Sequence, residues 1–408
     1  MKILQINCVY KSGSTGKIVY DIHKVLQESN FESIVCYGRG KKIEEKNVYK
    51  VSNEFISKFY NIKSRFTGMQ YAGCFVSTIN IINIIKKENP HIVHLHCING
   101  YFVNIYKLIE FLKQNKINTV LTLHAEFMYT GNCGHSYECD KWKCGCGNCP
   151  QLKKSTNSYF SDKTNESWNK MKEVFQGFDN LIVTSVSPWL ENRAKQSPIL
   201  ADKIHYTVLN GIETKGTFYP RKVQCLKEKH SISNEKIILH VTANFESEAK
   251  GGKYIIELAK RMKDEKVKII VIGNKNRSLK LPSNIIDIGR VENQDELAMY
   301  YSMADVTVIT SKRETFSMVC AESLSCGTPI IGFKSGGPEQ VSLHEYSEFV
   351  EYGDIELLQN TINKWLLKNN YLRKLRELNV DQYYSKERMC SNYIKIYNQL
   401  LNGEKNEY

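Results

Sequence analysis

The stretch Val306-Thr-Val-Ile-Thr310, then Glu314-Thr-Phe-Ser-Met-Val-Cys-Ala-Glu322, Cys326-Gly-Thr-Pro329 and the run to Gly332 decides the fold. The β-branched run Val306–Thr310 reads as a buried strand, and Ser317–Ser325 reads as a helix. A Gly-Pro turn ends that helix, and Pro329–Gly332 begins another strand. Strand, loop, helix and strand in this order make a parallel unit.

The same alternation runs outward in both directions. Ile237–Thr242, Val267–Ile272 and Ile285–Ile288 read as further strands, with helices at Lys253–Met262 and Asp295–Met303. Nearer the N-terminus, Lys2–Cys8, Ser33–Tyr37, His91–Leu95, Asn118–Leu123 and Asn180–Thr184 read as strands. The pattern predicts an α/β protein of two Rossmann-like doubly wound domains facing across a cleft. Asn210-Gly-Ile-Glu-Thr-Lys-Gly-Thr-Phe-Tyr-Pro220 reads as the linker. The domains are expected at 1–215 and 216–384, with a C-terminal helix at about 385–408 packing back on the first.

The 408 residues suffice for two cores, and apolar and charged contents of 42% and 24% are ordinary for a globular chain. No apolar run is long enough to span a bilayer, and Met1–Gly13 lacks a signal-peptide pattern, so a cytoplasmic protein is expected. The net charge of +13 is uneven: residues 1–215 hold 28 Lys and Arg against 18 Asp and Glu, a balance of +10. That suits a phosphorylated substrate, an anionic leaflet or nucleic acid, or simply a solvated surface. Five of the 13 cysteines fall between Cys133 and Cys149. In a reducing compartment such clustering argues for metal rather than disulfides.

The glutamate run, Cys326–Pro329, Ser335-Gly-Gly-Pro-Glu339, Asn210-Gly-Ile-Glu213, Asn284–Arg290 and Tyr300–Asp305 together resemble the family-4 retaining glycosyltransferases of GT-B fold. The resemblance covers nearly the whole chain and is closest to the bacterial surface-polysaccharide type with a cysteine-rich loop. It implies a hexosyltransferase that moves sugar from a nucleoside diphosphate-sugar, a UDP-sugar here, to a glycan or lipid-linked acceptor such as a capsule precursor. It also implies work without a divalent ion at the phosphates.

The residues carry part of this reading by themselves. A helix starting near Phe316 leaves the N–H groups of Ser317, Met318 and Val319 unpaired, and its positive end attracts a diphosphate. Glu314 before it can accept from hexose hydroxyls, and Glu322 inside it can take both ribose hydroxyls. Lys250, in Ala249-Lys-Gly-Gly252, would neutralise the leaving group. The family usually pairs this lysine with a nearby arginine, and Asn244–Ala249 contains none. Gly13, Ser14 and Gly16 form a candidate phosphate loop after the first strand. The resemblance adds Arg290, Thr315 and Phe316 to the donor set, and makes His124, Lys250 and Glu314 the catalytic group. It usually places an aspartate after this histidine, where the chain has Ala125 and then Glu126.

His96, Asn99 and Glu126 are placed on the acceptor side, while His94 reads as a core histidine. Cys133, Cys139, Cys146 and Cys149, with Cys144 and His135 nearby, suit a structural tetrahedral zinc. Residues 55–75 mix aromatics with Lys58, Lys63 and Arg65. They are expected to pack on the sheet, with peripheral contact to the inner membrane leaflet as the alternative. Two rival functions remain. One is a nucleotide-sugar epimerase or hydrolase of the same fold. The other is a zinc-dependent nucleic-acid-binding module, which is disfavoured because no regular alternation of basic and aromatic residues runs around the cysteines, so no nucleic-acid partner is expected.

Overall fold

The computed structural model describes residues 1–263, 265–276, 278–368 and 374–403. Positions 404–408 of the expected last helix lie outside them. The chain divides into two compact units, Met1–Leu209 with Met389–Tyr408, and Asn210–Arg388. Each is an α/β unit on one parallel sheet, as the alternation predicts.

The first unit has seven strands: β1 Lys2–Asn7, β2 Glu32–Tyr37, β3 Val48–Lys50, β4 Ile92–Leu95, β5 Thr119–Leu123, β6 Leu181–Ser185 and β7 Ile204–Thr207. Their order is β3-β2-β1-β4-β5-β6-β7. Every residue of β4, β5 and β6 is buried, as a parallel sheet covered on both faces requires. Helix α1 (Gly13–Glu28) buries Ile18, Val19, Ile22 and Leu26, a helical stripe against the sheet. Helices α2 (Glu54–Thr67) and α3 (Phe75–Glu88) follow. The C-terminal helix Lys386–Asn402 brings Tyr393 and Tyr397 into this unit's core.

The second unit has six strands: β8 Lys236–Val241, β9 Val267–Ile272, β10 Ile285–Gly289, β11 Val306–Ile309, β12 Ile330–Phe333 and β13 Ser347–Val350, in the order β10-β9-β8-β11-β12-β13. Ile238, Val271, Val308, Ile331 and Leu258 belong to one buried cluster between sheet and helices.

Three strands were not expected: β3, β7 and β13. All lie at sheet edges. An edge strand is partly exposed and needs no continuous apolar run, and β7 has no fully buried residue. The alternation Ile204-His-Tyr-Thr207 was the available signal.

Helix α2 corrects a second expectation. Its buried residues are Ser57 and Ser64, while Phe55, Phe59 and Phe66 face outward. The phenylalanines of this segment therefore do not pack on the sheet, and of its aromatics Tyr71 is buried and Tyr60 half-buried.

In both sheets the strand order reverses once, between β1 and β4 and between β8 and β11. The loops leaving the carboxyl ends of those neighbouring strands turn to opposite sides and open a crevice, where ligands bind in doubly wound sheets.

Candidate functional site

In the second unit, the loops after β8 and β11 meet at this switch point. Backbone bonds stitch them together: Lys312 N–H donates to the Ala249 carbonyl at 2.8 Å. The Thr310 hydroxyl donates to the carbonyls of Lys250 and Gly251, each at 3.1 Å. Gly251 has φ +72°, and a Cβ there would stand 2.1 Å from the Thr310 carbonyl oxygen. Only glycine allows this approach, which explains the Gly-Gly after Lys250.

The stitching brings Lys250 Nζ to 2.6 Å from Glu314 Oε1, with the side chains 34% and 19% exposed. Sequence reasoning placed both in the donor site but gave no sign that they touch. Lys250 thus has a carboxylate partner.

The loop after β12 fixes Glu314 from the other side. Glu314 N–H donates to the Ser335 carbonyl at 3.0 Å, and Gly337 N–H to the Glu314 carbonyl at 2.9 Å. Glu339 accepts from the N–H groups of Ser335 and Gly336 at 2.8 and 3.0 Å. A Cβ on Gly337 would lie 2.2 Å from the Thr315 carbonyl oxygen, so this glycine too is dictated by contact.

The following helix begins at Met318 rather than near Phe316, and ends at Ser325. Phe316 is buried and pins the entry, while Ser317 sits at φ +71°, strained for a residue with a Cβ. The N–H groups without an intrahelical acceptor are thus those of Met318, Val319 and Cys320. The Cys320 N–H bonds back to the Ser317 carbonyl at 3.1 Å, leaving the first two as the clearest donors. Glu322 lies on the second turn, oriented by the Tyr301 hydroxyl, which donates to Oε2 at 2.8 Å. Tyr301 is wholly buried; the stretch Tyr300–Asp305 that holds it was part of the resemblance, but this contact with Glu322 was not foreseen. Arg290 follows β10 on the same carboxyl edge, exposed and 3.4 Å from Glu292.

In the first unit, Gly13-Ser-Thr-Gly16 is not a free loop. It is the first turn of α1, so its donors are helix N-terminal N–H groups. The loops after β1 and β4 are joined by Asn7, whose Oδ1 accepts from Cys97 N–H at 3.0 Å. Asn99 is half-buried in the loop after β4.

His94, His96 and His124 form a buried ladder. His94 bonds Tyr397 Oη and Thr122 Oγ1, both at 2.7 Å, which satisfies it as a core histidine. His96 stacks on it at 3.9 Å. Gln5 Nε2 donates to the Val19 carbonyl, which aims Gln5 Oε1 at His96 Nε2, 3.2 Å away. His96 Nε2 therefore carries the proton, and its Nδ1 accepts from His124 Nε2, 3.3 Å away. Burial holds His94 and His96 well below the usual histidine range and pushes His124 down to about 4, so His124 is neutral at pH 7. His96 is fully buried and does not offer a face to an acceptor; it orients His124.

Glu126 is likewise corrected. It is fully buried and accepts from Arg193 Nε at 2.7 Å, Tyr129 Oη at 3.0 Å and Ser136 N–H at 2.6 Å. Arg193 Nη2 closes the network on Ser136 Oγ at 2.6 Å. The carboxylate anchors the cysteine loop and cannot replace the missing aspartate beside His124.

Cys133, Cys139, Cys146 and Cys149 line one small cavity of about 10 Å³, whereas Cys144 is exposed. Gly131 N–H donates to Cys146 Sγ at 3.3 Å. A hydrogen bond from Cys133 holds the Cys149 thiol below its usual range and raises Cys133 well above it. As they stand, no three His, Cys, Asp or Glu side chains among the described residues converge closely enough to ligate one ion. The donor chemistry fits zinc, and binding would require the thiols to close in to about 2.3 Å.

Comparison with known proteins matches residues 223–379 to the family model "Glycosyl transferases group 1". A putative colanic acid biosynthesis glycosyl transferase of Escherichia coli K12, WcaC, is 21% identical over 98% of this chain and 100% of its own length. Among solved structures, sucrose-phosphate synthase from Thermosynechococcus elongatus superposes with a TM-score of 0.70 at 16% identity, covering 99% of this chain and 100% of the other. HepE of Anabaena, solved in complex with UDP-glucose, gives a TM-score of 0.67 at 13% identity, covering 98% and 100%. The matched segment, wholly within the second unit, is thus similar to the group 1 glycosyltransferases, the two α/β units match GT-B structures in fold, and the chain is a transferase enzyme.

Proposed function

We propose that this enzyme transfers a sugar from a UDP-sugar to a glycan or lipid-linked acceptor in surface-polysaccharide synthesis, in the cytoplasm, with retention at the anomeric carbon. The observation that carries the donor half is the Lys250–Glu314 contact at the switch point of the second sheet, just ahead of a helix N-terminus. The colanic acid relative supports the pathway class, and the UDP-glucose complex of a structural neighbour supports the nucleotide.

In this reading a bound diphosphate draws Lys250 from Glu314. Lys250 and the N–H groups of Met318 and Val319 stabilise the charge that develops on the leaving group. Glu314, once released, accepts from hexose hydroxyls, and Glu322, fixed by Tyr301, takes the ribose. Arg290, Thr315, Phe316 and Ser317 complete the donor surroundings. The acceptor hydroxyl attacks the anomeric carbon on the face that the diphosphate leaves. Its proton passes to the departing phosphate oxygen, and no divalent ion takes part.

The decisive experiment is a thermal-shift screen of nucleotide-sugars, because a ligand that binds the folded state raises its melting temperature. The best donor is then followed by NMR with and without acceptor extracts. Transfer with retention at the anomeric carbon is expected. Conversion of the donor without acceptor would establish the epimerase or hydrolase instead.

A structural zinc on Cys133, Cys139, Cys146 and Cys149 belongs to the same proposal. It would tie the cysteine loop shut and leave no open coordination position. Metal analysis should find about one zinc per chain, lost in Cys133→Ser/Cys149→Ser; a metal-free protein of unchanged stability would reject it.

A further inference from the structure

Helix α2 is amphipathic the wrong way round for a globular core. Phe55, Phe59, Ile62 and Phe66, spaced i, i+4, i+7 and i+11, form a stripe that is 82%, 61%, 59% and 56% exposed. The buried side is Ser57 and Ser64. Helix α3 extends the apolar face with Phe75, Val76 and Ile79, also exposed. A groove of about 380 Å³ opens on this surface between Phe55, Phe59, Tyr60, Cys74 and Val76. Contiguous exposed apolar surface of this kind marks an interaction site.

Charge says what covers it. Residues 55–87 contain five Lys or Arg and no Asp or Glu. Lys58 and Lys63 are exposed on α2 between the aromatics, and Lys107 Nζ lies 4.7 Å from the Phe75 ring. The nearest acids are already engaged. Glu54 accepts from Gly40 N–H at 2.7 Å and pairs with Arg39, and Glu88 bonds Tyr49 and Lys2. Aromatic and branched side chains interleaved with lysines form the surface that lies in a bilayer interface, rings among the acyl chains and ammonium groups among anionic headgroups. Among the described residues no helix is long and apolar enough to cross a membrane, so contact would be from one side.

We propose that α2 and α3 dock this enzyme on the surface of an anionic lipid bilayer, with Phe55, Phe59, Ile62 and Phe66 inserted and Lys58 and Lys63 at headgroup level. Acyl chains fill the groove. The inference rests on the surface itself and stands whichever donor or acceptor the enzyme uses.

The test is co-sedimentation of the full chain with phosphatidylcholine vesicles, with and without phosphatidylglycerol. Binding is expected only with the anionic lipid and should weaken as salt rises. Phe59→Ser/Ile62→Ser should lower partitioning about tenfold or more, since these side chains would lose their apolar burial. Lys58→Gln/Lys63→Gln should lower it about fivefold per charge. Melting temperatures should hold, because these side chains make little contact in the folded protein. Absence of binding to anionic vesicles would overturn the proposal. So would binding that both double variants leave unchanged, or a self-association in solution that Phe59→Ser/Ile62→Ser abolishes while vesicle binding persists.

Discussion

Replacing Lys250 with alanine separates a catalytic cation from a structural one. In the unliganded protein Lys250 holds Glu314 at 2.6 Å, but its side chain is a third exposed. A pair of that exposure contributes about 1 kcal/mol at most, since solvent screens it and two long side chains are ordered to make it. For a unit of this size the melting temperature should fall by only about 2–4 °C. The transition state is different. In the proposed reaction the leaving diphosphate gains charge, and Lys250 would meet it at the end of a crevice lined by fixed N–H groups. Losing one such preorganised partner costs about 10²–10³ in kcat, or roughly 3–4 kcal/mol. The expected result is therefore a near-normal melting temperature with kcat down by two to three decades. The assay is initial-rate transfer from the best-binding nucleotide-sugar, with circular dichroism melting of the same samples. Lys253→Ala is the control, because Lys253 lies over the Tyr254 ring, 4.9 Å from its centroid. If Lys250→Ala keeps its rate within a few-fold while Lys253→Ala loses it, the leaving-group role belongs to Lys253 and the reasoning fails.

Glu322→Gln should weaken nucleotide affinity about tenfold, because a charged acceptor of the ribose hydroxyls becomes a neutral one; unchanged affinity in titration calorimetry would remove the ribose role. Tyr397→Phe strips the partner from His94 Nδ1 in a fully buried site and should cost about 1–3 kcal/mol in urea unfolding, and no loss would mean that the ladder does not depend on the C-terminal helix. Glu126→Gln leaves Arg193 without its carboxylate and should cost about 3–5 kcal/mol, seen as early proteolysis of the cysteine loop. For pH, burial holds His23, His124 and His240 at about 4, against about 6.5 when unfolded. Between those values the unfolded chain binds more protons. Stability should thus be full above about pH 6.5 and fall by about 1.4 kcal/mol per pH unit per histidine toward pH 4. Urea midpoints at pH 7 and 5 check this, and a flat profile would contradict the burial of these rings.

The comparison of sequence with structure divides along physical lines. Periodicity identified the central strands, because a strand covered on both faces is buried throughout and mostly apolar or β-branched, as β5 and β6 are. It missed β3, β7 and β13 because an edge strand is under no such demand. The candidate donor residues were legible as types at spacings: a carboxylate before a helix, another on its second turn, a lysine before two glycines. That Lys250 and Glu314 touch was not legible. They are 64 residues apart, and only the pairing of β11 with β8 brings their loops together.

What the sequence determined alone was the class of fold and the chemistry available at the loops, because both follow from local pattern and side-chain type. Tertiary structure decided the rest. It buried Glu126 against Arg193 and His96 between Gln5 and His124, removing both from the acceptor surface. It also turned α2 so that two serines face the protein and three phenylalanines face out. Hydrophobic periodicity gives the stripe on a helix but not the direction in which the stripe points. That direction is set by what the rest of the chain packs beneath it.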